Sequence, residues 1–173
     1  MAILKITSPF TEEKMRSLKN GDRVEIFGTI FTARDAVHKY LFEGGKLPIS
    51  LENQIIFHCG PIVVQESGIW QIKAAGPTTS MREEPYAWKL IEQYNLRGII
   101  GKGGMGAKTQ TALQKIGACY FHTIGGAAQV LAARITKVRN VHLLEKFGVP
   151  EAIWEFEVKN FPAIVTMDSH GNA

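Results

Sequence analysis

Polar and apolar positions follow two rhythms in this chain, and the rhythm changes several times. Over residues 23–31, Val24 and Ile26 alternate with Arg23 and Glu25, the period of a strand with one buried face. Over residues 33–43, Ala36, Val37, Tyr40 and Leu41 share one helical face, Thr32 is placed to cap that helix with Asp35 three residues on, and Gly44-Gly45 ends it. Short apolar runs at 54–57, 62–65 and 69–75 predict strands, as do 97–100, 118–122, 154–158 and 163–167; 3–7 and 138–144 read as extended. Helices are predicted over 11–18, 87–93 and 107–116, and a small-residue segment follows Gly125-Gly126 to Ala133. Strands outnumber helices, and the two types alternate only in the middle. The pattern predicts a parallel strand-helix-strand unit from 69 to 122 and strand pairs at both ends, with Phe161-Pro162 breaking the last pair and a polar tail over 168–173. The expected class is α/β, a layered domain with a mixed sheet or half-barrel.

Composition narrows the function classes. At 173 residues the chain suits one domain, or one with a small appendage, and at 45% hydrophobic it can bury a sizeable core. A net charge of +4, with both signs interspersed, gives little support for a nucleic-acid partner. Two cysteines, Cys59 and Cys119, lie outside any CxxC pattern, so neither a disulfide framework nor a zinc site is expected, and a reducing, cytoplasmic setting fits. The longest apolar runs are too short to span a bilayer, and the first residues lack signal-peptide architecture, so no membrane association is expected.

Three strand-to-helix turns carry cations. Residues 74–86 include Thr78, Thr79, Ser80 and Arg82; Ser80 and Glu83 have capping-box spacing, and hydroxyls and amides at a helix start suit an anion. Arg82 in a first helical turn opposes the helix dipole, which suggests a partner other than the helix. Arg34 repeats that placement, with His38 four residues on along the same face. Gly101-Lys102-Gly103-Gly104-Met105-Gly106 matches GxGxxG, but no Asp or Glu occurs from 107 to 144 to hold a ribose, and no glycine directly precedes the lysine of Ala107-Lys108-Thr109 as a P-loop requires. The glycines are expected instead to bring backbone amides close to an anion, with Lys102 as a point charge. His58 and Cys59, adjacent on a strand, would point to opposite faces and make a poor nucleophile pair. If the turns of Arg34, Arg82 and Lys102 converge at the carboxyl ends of the strands, they suit a small dianion, a dicarboxylate rather than a nucleotide.

At this point the residues resemble a family. Thr-Ala-Arg-Asp-Ala-Val-His (32 to 38), Phe-His-Cys-Gly-Pro-Ile-Val (57 to 63), Ala-Gly-Pro-Thr-Thr-Ser-Met-Arg (75 to 82), Ile-Gly-Lys-Gly-Gly-Met-Gly (100 to 106) and Met-Asp-Ser-His-Gly-Asn (167 to 172) are similar to the β subunit of class I fumarate hydratase and L(+)-tartrate dehydratase. The resemblance implies a swivelling β/β/α domain over residues 1–173, paired with an α subunit that carries a [4Fe-4S] cluster on three cysteines. It implies reversible hydration of fumarate to malate, or dehydration of tartrate, with the cluster iron a Lewis acid on the substrate hydroxyl. It places Arg34, Arg82 and Lys102 at substrate carboxylates, no metal ligand in this chain, and Thr78 beside the reacting carbon as a base. His38 is the rival base by its ordinary pKa. A chain that stops soon after His-Gly-Asn leans toward fumarate. A nucleotide-binding domain and a non-catalytic dicarboxylate-binding module are the remaining alternatives.

Overall fold

The computed structural model describes residues 2–124 and 126–173. In chain order the elements are β1 (Leu4–Thr7), α1 (Glu12–Arg16), β2 (Arg23–Thr32), α2 (Asp35–Phe42), β3 (Ile55–Phe57), β4 (Ile62–Glu66), β5 (Ile69–Ala74), α3 (Glu84–Tyr94), β6 (Gly98–Gly101), α4 (Ala107–Ile116), β7 (Cys119–His122), α5 (Ala128–Ala132), β8 (Ile135–His142), α6 (Leu144–Phe147) and β9 (Ile153–Met167). A short 3-10 turn over Ser80–Glu83 leads into α3.

The main sheet is mixed, in the order β1-β2-β3-β6-β7-β9-β8, and β9 also pairs with β2. β1, β2, β3, β6 and β7 run parallel to their neighbours, while β9 is antiparallel to β2, β7 and β8. Because β9 pairs with both β2 and β7, the strands β2, β3, β6, β7 and β9 form a closed ring. β9 can serve both partners because it bends: Asn160 has φ 52, and the β2–β9 register shifts between Ile26 and Gly28. Gly28 has φ 91, and a Cβ there would lie 2.0 Å from Ser8 Oγ, so a side chain is excluded twice over.

Strand alternation separates two cores. Ile26, Ile30, Phe57, Ile100, Phe121, Trp154, Phe156 and Phe161 fill the ring. Their chain neighbours Phe31, Ile56, Ile99 and Tyr120 face the opposite way and meet Val37 and Leu41 of α2, Leu90 and Ile91 of α3, and Leu113 of α4. This is an α/β layered fold with a mixed sheet. The layering follows from β3, β6 and β7 being apolar on successive residues, as strands covered on both faces must be.

Several expectations change. β5 does not lead into the parallel sheet; it pairs antiparallel with β4 in a separate two-stranded sheet. The parallel units run from β3 through α3 to β6, and from β6 through α4 to β7. The two strands predicted near the end are one, β9, with Pro162 opposite Glu25 just past the bend. The stretch predicted as extended over 138–144 is the end of β8 followed by α6. Thr32 does not cap α2: its hydroxyl donates to Ala152 O and accepts from Trp154 N–H, inside the sheet. Residues 168–173 are tied down, because the buried Asp168 carboxylate accepts from the backbone N–H groups of Asn20, His170 and Asn172. Gly125 lies outside the described residues; the remainder of its small-residue segment includes α5. Among the described residues no helix is long and apolar enough to cross a membrane.

Candidate active site

Because β2, β3 and β6 are parallel, their carboxyl ends lie along one edge. The turns at 33–34, 58–61 and 102–106 leave from that edge. Residues 77–83 arrive from the β4–β5 hairpin and are stitched to it. Thr78 N–H donates to His58 O at 2.7 Å and Ser80 N–H to Lys102 O at 3.0 Å, with single bridges joining Cys59 to Pro77 and Thr79 to Lys102. Ala33 N–H donates to Phe57 O at 3.0 Å, so the segments carrying Arg34, Thr78, Arg82 and Lys102 are fastened through the end of β3, although they lie far apart in sequence.

Two of the three cations already face carboxylates. Arg34 Nε is 3.5 Å from Glu151 Oε1, and Glu151 Oε2 also accepts the free Ala36 N–H of α2 at 3.1 Å. The Arg34 guanidinium packs where a Cβ on Gly60 would be, 2.5 Å from Nη1. Arg82 Nε is 3.6 Å from Asp35 Oδ2, with both side chains about half exposed. Lys102 makes no ion pair among the described residues.

Behind Arg82 lies an unexpected carboxyl pair. Glu83, the presumed partner of a capping box, is fully buried, and neither of its carboxyl oxygens meets a donor; nor does Asp35 Oδ1. Acceptors without donors, side by side, call for a shared proton. Burial and the nearby Asp35 push the Glu83 carboxyl up to about 9, while the bond from Glu83 holds Asp35 below its ordinary value. Glu83 is thus the neutral acid that donates, and Asp35 remains the anion facing Arg82.

Ser80 likewise does not cap a helix. His58 Nδ1 is 2.8 Å from Ser80 Oγ, and Tyr120 OH donates to Ser80 Oγ at 3.0 Å. His58 Nε2 is 3.2 Å from His38 Nε2, and His38 Nδ1 is 3.0 Å from Arg34 O. All four side chains are fully buried. Burial pushes the His38 imidazole down to about 4 and His58 well down as well, so both rings are neutral near pH 7. His38 therefore has no free ring nitrogen. Thr78 Oγ1, by contrast, is shielded from solvent and has no hydrogen-bond partner among the described residues.

The glycine-rich turn does bring amides to an anion, but the anion belongs to the chain. Glu84 Oε2 accepts from Gly106 N–H at 2.8 Å and from the Thr109 hydroxyl, and Oε1 accepts from Thr109 N–H at 3.2 Å. The N-terminus of α4 is thus occupied by Glu84.

The chain as a whole resembles known proteins. A family model described as "Fumarase C-terminus" matches residues 2–173. The chain belongs to this family. It is 52% identical over 172 residues to a Geobacillus stearothermophilus protein provisionally named a class I fumarate hydratase, covering 99% of this chain and 33% of that one. It is 41% identical over 168 residues to a Methanocaldococcus jannaschii protein provisionally named L(+)-tartrate dehydratase subunit beta, covering 94% of this chain and 86% of that one. It is 38% identical over 169 residues to the L(+)-tartrate dehydratase subunit beta of Escherichia coli K12, covering 96% and 84%. The chain thus spans about a third of the Geobacillus protein and most of each beta subunit.

In this member of the fumarase C-terminus family, the cysteines do not fit an iron–sulfur cluster. Cys59 and Cys119 are fully buried, and burial pushes both thiols up, Cys119 to about 12. Among the described residues no group of three or more His, Cys, Asp or Glu side chains is placed to hold a metal ion. Sequence reasoning assigned no role to Glu84, Glu151 and Tyr120, and other roles to His58, Ser80 and Glu83; all six acquire their observed roles through contacts made across the fold.

Proposed function

We propose that this chain is the carboxylate-binding part of an iron–sulfur hydro-lyase that interconverts fumarate and malate, working with a partner chain that holds the [4Fe-4S] cluster. One observation carries the reading: in a member of the fumarase C-terminus family, Arg34, Arg82 and Lys102 come from turns fastened together at one sheet edge, and the segment that carries Arg82 also carries Thr78, whose hydroxyl has no partner among the described residues. Arginine forks and a lysine suit the two carboxylates of the substrate. Removing a proton from the carbon next to a carboxylate drives negative charge onto that carboxylate, and fixed cations stabilise it without reorganising.

Thr78 is the group assigned to that proton in this reading, because His38 is fully buried with both nitrogens bonded. A threonine hydroxyl is a weak base, so the role depends on the cationic field. Glu151 and Asp35 share the charge of Arg34 and Arg82 until substrate carboxylates compete for it. Lys102 contributes its charge from the turn joined to Thr79. The cluster would be held outside this chain, since Cys59 and Cys119 do not fit it.

The second reading is the beta subunit of an L(+)-tartrate dehydratase. It is favoured by the extent of the match: this chain covers 86% and 84% of two proteins so named.

The deciding experiment is co-expression with a candidate cluster-bearing subunit, followed by anaerobic assay on fumarate, malate and L(+)-tartrate. Activity on fumarate and malate only with both chains present supports the proposal. A preference for tartrate moves it to the second reading. No activity on any of the three with a loaded partner overturns both.

A further inference from the structure

The four buried groups beneath the cations are joined in a way that leaves a single arrangement of their protons. A carbonyl oxygen can only accept, so His38 Nδ1, 3.0 Å from Arg34 O, carries the hydrogen. His38 is neutral, so its Nε2 accepts, and the donor at 3.2 Å is His58 Nε2–H. His58 Nδ1 is then an acceptor and takes the Ser80 hydroxyl proton at 2.8 Å. Ser80 Oγ in turn accepts from Tyr120 OH at 3.0 Å. Every donor points from β7 toward the start of α2. The chain ends on a carbonyl at one side and on a fully buried phenol at the other. With its four side chains fully buried, the chain suits a fixed strut better than a proton relay.

Ser80 lies in the Arg82 segment, His38 is in the first turns of α2 after Arg34, His58 follows β3, and Tyr120 is on β7. His38 holds the carbonyl of Arg34. His58 O accepts from Thr78 N–H, and Ser80 N–H donates to Lys102 O. A Cβ on Gly101 would lie 1.9 Å from Ser80 Oγ and 3.0 Å from the Tyr120 hydroxyl, so the glycine beside Lys102 is required by this chain.

We infer that His38, His58, Ser80 and Tyr120 form a proton-ordered strut of positioning residues that sets the Arg34 turn against the Lys102 turn. The role in catalysis rests on the function proposed above; the strut itself does not. The strut adds a side-chain link between turns that backbone bonds of β2, β3, β6 and residues 77–83 also fasten. Neutral groups suit it, because a charged imidazole would set two N–H groups against each other at His38 and His58 and would alter the field felt by the substrate.

Two measurements test it on the full chain. Nitrogen-15 NMR at pH 7 should find His38 protonated on Nδ1 and His58 on Nε2, and Ser80→Ala should shift the backbone amides of both the Arg34 and Lys102 turns. The opposite tautomers, or a response confined to the Ser80 and Lys102 side, would overturn the strut. With the partner subunit, Ser80→Ala should lower kcat/KM on the order of 10²-fold, as misplacement of reacting groups does. Adding Tyr120→Phe should then cost little more, because the strut is already broken; fully additive losses would overturn it. Should the wild-type pair be inactive on all the dicarboxylates, the proposed function fails while the NMR result still decides the strut.

Discussion

The candidate site has a rim and a floor, built from neighbouring elements by opposite physics. The rim is Arg34, Arg82 and Lys102, charged and partly open to water, with Arg82 about half exposed. The floor is His38, His58, Ser80, Tyr120 and Glu83, polar but neutral and fully buried. The rim can hold charge because water and the acids Glu151 and Asp35 share it. The floor cannot, because an ion without compensation there costs several kcal/mol or more, on the order set by desolvation. The candidate site thus has its charges at the edge, and its buried polar groups carry no net charge.

Substitutions should separate the two layers. The largest effect expected is on the rim: Arg82→Ala, assayed with the partner subunit, should lower kcat/KM by about 10²–10³-fold, as loss of one preorganised donor does. The melting temperature should hardly move, because surface changes usually cost within about 0.5 kcal/mol. A rate within a few-fold of wild type would remove Arg82 from the site.

The floor should respond to acid. His38 takes a proton near pH 4 when folded and near its ordinary 6.5 when unfolded, so the unfolded state binds more protons between those values. Stability is therefore unaffected above about pH 6.5 and falls as the pH drops toward 4, by about 3 kcal/mol for this ring alone. Denaturant titrations at pH 7 and pH 5 would show it. Glu83 has the opposite sign: held up to about 9 against an ordinary 4.5, it contributes stability that is lost as the pH rises through that interval. Glu83→Gln, which keeps a donor for Asp35, should flatten the alkaline side of the stability profile.

Next in size is Gly101→Ala. Its methyl would overlap Ser80 Oγ, and overpacking of this kind costs about 1–3 kcal/mol. A lowered denaturation midpoint with an unchanged slope would confirm a stability effect. The smallest expected change is from Glu84→Gln, which weakens the anion at the α4 N-terminus and should cost about 1 kcal/mol. If it abolished substrate binding, the glycine turn would belong to the rim after all.

Legibility in the sequence divides along the same line. The cations were readable: Arg34 and Arg82 stood out as placed against the helix dipole, and Lys102 as a charge in a glycine-rich turn. Most elements were readable too, and α4 was predicted at its observed bounds. The floor was not. Ser80 and Glu83 had the spacing of a capping box, and nothing local revealed that Ser80 turns to His58 or that Glu83 faces Asp35. Glu151 lies far along the chain from the Arg34 it pairs with. The β5 strand was misplaced because a short apolar run carries no record of which strand it will pair with.

By itself the sequence determined the local periods, the turn positions, the cations and the motifs that mark the fumarase C-terminus family. These depend on residues close in the chain, or on residue types that recur in fixed runs. Tertiary structure alone decided which carboxyls share a proton, which histidine nitrogens are free, and that the amides of α4 are filled by Glu84 rather than by a ligand. Closure of the ring by β9 was decided there too, since one bent strand meets partners from both halves of the chain. Hydrogen bonds and desolvation act over a few ångströms of space, and separation along the sequence does not report that distance.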